Sequence, residues 1–191
     1  MKACHNEKAN EEQCIQRGKD EESFGELITQ CATVETMLDV LNYFNQTYPE
    51  AIVTQAHPTT SSNSSRDADH DLVIKSGETT HCIEISDTIG EKGSSHKMTE
   101  DLKTLYKTFE NNKSNNNYVY YLGCSPEAKK YLFNKKKSRG SALYKFPLDN
   151  KTYVTYQIPQ CKKIDNGCAY LIQITFQEKL HEENPSEEEN L

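Results

Sequence analysis

From Ser23 onward, Leu27, Cys31, Val34, Leu38, Leu41 and Phe44 recur at spacings of three and four. This is the period of one buried face of an amphipathic helix, and Pro49 ends it. Ala51-Ile52-Val53-Thr54 reads as a short strand, and residues 59–65 as a polar loop. Asp71-Leu72-Val73-Ile74, the turn Ser76-Gly77-Glu78 and a run from His81 to Asp87 predict a β-hairpin. In its second strand His81, Ile83, Ile85 and Asp87 share one face, with Cys82, Glu84 and Ser86 on the other. Met98, Leu102, Leu105 and Phe109 form the apolar stripe of a helix starting at Ser95. Asn-rich residues 111–117 separate it from the strand Tyr118-Val119-Tyr120-Tyr121-Leu122, dense in β-formers. Ser125-Pro126-Glu127 has the form of an N-cap with proline at the first helical position. Two late strands, Tyr153 to Ile158 and Tyr170 to Phe176, flank a loop containing Asp165-Asn166-Gly167. The order is helix, three strands, helix, strand, helix and two strands. It predicts an α/β fold with a central mixed β-sheet flanked by helices.

Length and charge refine this picture. A chain of 191 residues fits one domain and can bury a core without disulfides. The expected division is a polar leader at 1–22, a single domain at 23–180 and an acidic, disordered tail at 181–191. No apolar run reaches the ~20 residues of a membrane span, and the charged start has no signal-peptide core, so the expected location is cytoplasmic. The seven cysteines are odd in number and irregular in spacing, with no CxxC pair. Cys161 with Cys168, or Cys4 and His5 with Cys14, lack zinc-ligand spacing. Reduced thiols are expected, with Cys31 and Cys82 inside apolar patterns as small hydrophobes. The net charge of −7 opposes non-specific nucleic-acid binding as the whole function. That average hides a basic stretch, Lys129, Lys130, Lys135, Lys136, Lys137, Arg139 and Lys145, with no acid among them.

Candidate chemistry gathers at the hairpin. Asp71 begins one strand, and Glu84 stands out from the apolar neighbouring strand. Two carboxylates on adjacent strands can supply the oxygen ligands that Mg²⁺ requires, and Mg²⁺ can polarise a phosphodiester and activate water for attack. Asp67, Asp69 and Asp71 alternate as in a calcium loop, but the later Gly and Glu of that pattern are out of register. His57, His70, His81 and His96 surround the same region, where His81 reads as a half-buried strand residue and not a general base. No phosphate-binding GxxxxGK[ST], no GxGxxG and no nucleophile elbow is present.

The αβββαβ order, with Asp71 on the second strand and Glu84-Ile85-Ser86 on the third, resembles the PD-(D/E)XK, or restriction-endonuclease-like, nuclease superfamily over roughly residues 27–122. The resemblance implies Asp71 and Glu84 as metal ligands and Mg²⁺ as cofactor. It also implies double-stranded DNA as substrate, cleaved by a type II restriction enzyme working as a homodimer. Glu35 is the candidate for a further acid from the first helix. Two departures stand out. His70 replaces the motif proline, and Ser86 stands where the water-orienting lysine is expected; a hydroxyl can position water but lacks the charge. Lys97, at the start of the next helix, is the expected substitute. Lys75 shares a strand face with Asp71 but lies about 13 Å along the strand. Catalytic roles therefore fall to Asp71, Glu84, Ser86 and Lys97. Lys135, Lys136, Lys137 and Arg139 are the candidate phosphate contacts, with Tyr131, Phe133 and Tyr144 packing below them. The alternative is a catalytically inactive module of the same fold that binds nucleic acid or protein.

Overall fold

The computed structural model describes residues 31–56, 70–86, 94–134, 143–164, 169–177 and 180–181. The hairpin anticipated above is present, but it forms the second and third strands from one edge of the sheet and not its centre. Strand β2 (Leu72–Ser76) pairs antiparallel with β3 (Thr79–Ser86) in the register Leu72↔Ile83 to Ser76↔Thr79. The two-residue connection is feasible because Gly77 takes φ +58°, a conformation favoured in such turns only for residues without a side-chain clash. Strand β1 (Ile52–Ala56) adds antiparallel to the outer edge of β2.

After β3 the chain crosses over through helix α2 (Ser94–Asn111) and returns as β4 (Tyr118–Cys124), parallel to β3. A parallel pair needs such a crossover. Helix α3 (Pro126–Asn134) follows, capped as expected: Ser125 Oγ accepts from Ala128 N–H at 3.3 Å. Strands β6 (Thr152–Lys163) and β7 (Tyr170–Phe176) complete the sheet beside β4. Two strands were not anticipated. Strand β5 (Tyr144–Pro147) pairs with β6 on the outer side, and β8 (Leu180–His181) also pairs with β6. Both are too short for an alternation to register. The resulting order is β1-β2-β3-β4-β7-β6-β5. The α/β class and the mixed sheet follow the sequence reading.

The sheet has a core on each face. Cys82, Tyr120, Leu122, Ile172 and Ile174 lie beneath Met98, Leu102 and Leu105 of α2 and beneath Ala128 and Leu132 of α3. The other face carries Ile74, Ile83 and Ile85 against a first helix, α1, described over 31–47. Its buried stripe corrects the expectation. Met37, Val40 and Phe44 are buried, while Cys31, Val34 and Leu38 are exposed. Two apolar stripes offset by one residue overlap on α1. Periodicity cannot choose between them, and contact with the isoleucines of β2 and β3 does. Leu27, the leader and most of the tail lie outside the described residues. Among the described residues no helix is long and apolar enough to cross a membrane.

The registers also align residues across the sheet. Ser86 pairs with Cys124, Cys124 with Tyr170, and Tyr170 with Lys163, so these four form one row at the same end of the sheet.

Candidate active site

The site exists because β3 outruns β2. The β2–β3 ladder stops at Leu72↔Ile83, yet β3 continues to Ser86, held on its other side by β4. A residue in an extended strand directs its N–H and C=O to the same side, so beyond the end of β2 the backbone of Ile85 needs other partners. Side chains supply them. Ile85 N–H donates to Asp71 Oδ2 at 2.7 Å, and Ile85 C=O accepts from Lys97 Nζ at 3.1 Å. Asp71 and Lys97, far apart in sequence, are thereby both fixed to the backbone of one residue.

Glu84, which by its polarity would face solvent, is buried at 5% exposure beneath α2. The correction has a simple cause: the amphipathic stripe of α2 covers that face of β3. A buried carboxylate needs partners, and Glu84 finds one in His70. Its Nδ1 lies 2.7 Å from Glu84 Oε1, while Nε2 lies 2.8 Å from Thr108 Oγ1. With Glu84 ionised the carboxylate only accepts, so Nδ1 donates to it. His70, the departure from the motif proline, is thus a buried bridge between the site and α2.

Asp101 is the residue that the sequence reading missed. It is 7% exposed, accepts from the Ser86 hydroxyl, and lies 3.3 Å from Lys97 Nζ. Lys97 and Asp101 are one helical turn apart, a spacing usually read as a surface ion pair. What marks this pair is burial, which no local pattern reveals. Lys97 thus comes to the site as expected. Ser86 is also present, but its hydroxyl is engaged with Asp101. Lys75 is exposed on β2, and Glu35 is exposed on α1, the helix covering the opposite face. Lys135, Lys136, Lys137 and Arg139 lie outside the described residues. Tyr131 and Phe133 do pack against the core beneath α2 and α3, Phe133 edge-on to Tyr144. His81 is fully rather than half buried, on the α1 face among Phe44, Tyr48 and Tyr121.

The electrostatics follow from three carboxylates and one ammonium in a poorly solvated space. Burial pushes the Glu84 carboxyl well above the usual range, and the charges of Asp71 and Asp101 push it further. Asp71 is also raised by burial, against the opposing pull of the Ile85 N–H and Lys97. Burial lifts Asp101 to about 6 despite Lys97 and the Ser86 hydroxyl. Burial alone would lower Lys97, but Asp101, Asp71 and Glu84 together hold it above its ordinary value. Three carboxylates thus share one lysine, and an added cation would favour their ionised forms.

The donor set suits one class of cation. Among the described residues no three His, Cys, Asp or Glu side chains converge as a complete cage. Two carboxylates that interact directly, Asp71 and Glu84, beside a backbone carbonyl are a hard, all-oxygen and incomplete set. Mg²⁺ is commonly held this way, by one or two carboxylates with water and substrate oxygens filling the remaining positions. Comparison of the chain with known protein families, with curated proteins and with solved structures finds no match.

Proposed function

We propose that the chain is a Mg²⁺-dependent endonuclease that hydrolyses phosphodiester bonds in double-stranded DNA, built on a restriction-endonuclease-like core. One observation carries this reading: Asp71 and Glu84 meet where β3 outruns β2, with the Lys97 ammonium 3.1 Å from the carbonyl of the intervening Ile85. The elements around it run α1, β1, β2, β3, α2, β4, the order of the core that the sequence resembles; β5 to β8 extend the sheet beyond it. Asp71 and Glu84 would hold Mg²⁺, which when bound polarises the phosphodiester and acidifies its water. Lys97 takes the place of the motif lysine, reaching from a helix to the point that residue 86 would serve from the strand. Asp101 holds Lys97 and keeps it charged, and Ser86, relieved of the lysine's role, binds Asp101. A homodimer would place one such site on each DNA strand.

The test is digestion of plasmid DNA with and without Mg²⁺. Cleavage is expected only with the metal, and Asp71→Asn and Glu84→Gln should abolish it. Lys97→Ala should slow it by on the order of 10²–10⁴, the range of a positioned proton-transfer or water-orienting group. Ser86→Lys in the Lys97→Ala background should recover part of that loss. DNA binding without any Mg²⁺- or Mn²⁺-dependent cleavage would instead favour the inactive binding module, the reading that Ser86 at the motif position supports.

A further inference from the structure

Glu84 has two carboxylate oxygens, and the fold gives one of them a fixed partner. His70 Nδ1 lies 2.7 Å from Glu84 Oε1, and the two side chains are only 4% and 7% exposed. A carboxylate that binds a metal is ionised and can only accept, so this contact is an N–H donated to Oε1. His70 has little freedom to leave it. Its other ring nitrogen meets the Thr108 hydroxyl of α2 at 2.8 Å. Its backbone carbonyl accepts from the Gln55 side chain of β1 at 2.7 Å. Strands β1 and β3 and helix α2 thus converge on one residue. Among the described residues no N–H reaches Glu84 Oε2, which leaves it as the oxygen that Glu84 can offer without competition.

This asymmetry bears differently on the two common hard cations. Ca²⁺ gathers roughly six to eight oxygens at about 2.3–2.6 Å and accepts a carboxylate through both oxygens. Mg²⁺ holds its ligands at about 2.0–2.1 Å in a near-ideal octahedron, which the narrow bite of a chelating carboxylate does not fit. We propose that His70 sets the metal preference of the site: by occupying Glu84 Oε1 it makes Glu84 a one-oxygen ligand, which favours Mg²⁺ over Ca²⁺. This rests on the reading of Asp71 and Glu84 as the metal pair. An ion that gripped both oxygens would displace the imidazole N–H from Oε1, and in so buried a place that N–H would be left unpaired at a cost. An ion on the other oxygen leaves the contact whole. Thr108 and Gln55 oppose the displacement, because they hold the ring and the backbone of His70 in place. His70 is a positioning residue that acts through Glu84 and not a ligand, since both of its ring nitrogens are engaged. The residue that departs from the motif proline thereby acquires a role.

The experiment titrates the full-length protein with Mn²⁺, follows the free ion by electron paramagnetic resonance, and then displaces the bound ion with Mg²⁺ or with Ca²⁺. Wild type should bind Mg²⁺ more tightly than Ca²⁺. His70→Leu removes the donor. It should weaken Mg²⁺ binding on the order of 10- to 100-fold, the usual cost of losing a hydrogen-bond partner behind a metal ligand, and leave Ca²⁺ binding unchanged or tighter. His70→Asn puts an amide N–H near the place of Nδ1 and should restore most of the preference. Thr108→Val frees the far side of the ring and should lower the preference by less, which keeps the test valid if His70→Leu does not fold. Equal weakening of both ions in His70→Leu and Thr108→Val would mean a structural role only, and overturns the proposal. So does a wild type that binds Ca²⁺ as tightly as Mg²⁺, or binds neither. DNA digestion separates this outcome from that of the nuclease reading. A preference lost in His70→Leu and regained in His70→Asn, in a protein that cuts no DNA, keeps the selectivity and removes the nuclease. Mg²⁺-dependent cleavage with a preference indifferent to His70 does the reverse.

Discussion

His81 shows how strongly one side chain can tie stability to pH. It is 3% exposed, ringed by Phe44, Tyr48 and Tyr121, and neither ring nitrogen has a hydrogen-bond partner. Burial holds its pKa below the ordinary value, so it is neutral when folded. The unfolded chain takes up the proton first as pH falls. The stability gained from a neutral His81 is therefore complete above about pH 6.5 and declines below it, by about 1.4 kcal/mol per unit until the folded value is reached. On going from pH 7.5 to 5.5 the denaturation midpoint of wild type should fall relative to that of His81→Phe; an unchanged gap between the two would show that His81 titrates freely. At this scale the sequence disclosed what chemistry demands. Asp71, Glu84 and Lys97 were legible as groups suited to a metal and an attacking water, and the end of β3 and the start of α2 bring them together. His70, Thr108 and Asp101 were not, since each is an ordinary polar residue until burial fixes its partners.

Between elements, α1 approaches the sheet closely at Gly123. A Cβ added there would lie 2.8 Å from Ile85 Cδ1 and 3.1 Å from Val40 Cγ2. Gly123→Ala should therefore push α1 away from β3 and β4. Overpacking of this kind costs about 1–3 kcal/mol, readable as a lower denaturation midpoint in wild-type buffer. A variant as stable as wild type would mean that α1 shifts freely over the isoleucines. The same contact explains which part of the elements could be foreseen. The hairpin was legible because Gly77 and the alternation of β3 are local signals. The stripe of α1 was misjudged because the face that packs is chosen by Ile83, Ile85 and the gap over Gly123, all distant in sequence. Strand β5 escaped notice because it is short and follows directly on a lysine-rich segment.

Across the whole molecule, charge at the site works against the metal-free fold. Asp71, Glu84 and Asp101 have raised pKa values, so their ionisation is disfavoured in the native state. The unfolded chain releases these protons more readily, and this contribution to stability therefore improves as pH falls from 7.5 toward the Asp101 value of about 6. Mg²⁺ at a hundred times its Kd should add about 2.7 kcal/mol at pH 7.5, seen as a higher Tm. Glu84→Gln should raise Tm without metal and abolish the response to it; an undiminished response would place the ion elsewhere. The α/β class and the mixed sheet were legible at this scale because element order constrains topology. The width of the sheet was not, because its far strands pair through contacts that no local pattern encodes. The crossover between β3 and β4 has a further bearing, on folding time. The β2–β3 hairpin can close locally, but β4 cannot join β3 until α2 has spanned the sheet, and such non-local pairing is slow. Lys97 and Asp101 travel on that crossover helix, whereas Asp71 and Glu84 belong to the early hairpin. A chain still folding thus holds its acidic pair before its lysine arrives, and the proposed site is complete only once that crossover has formed.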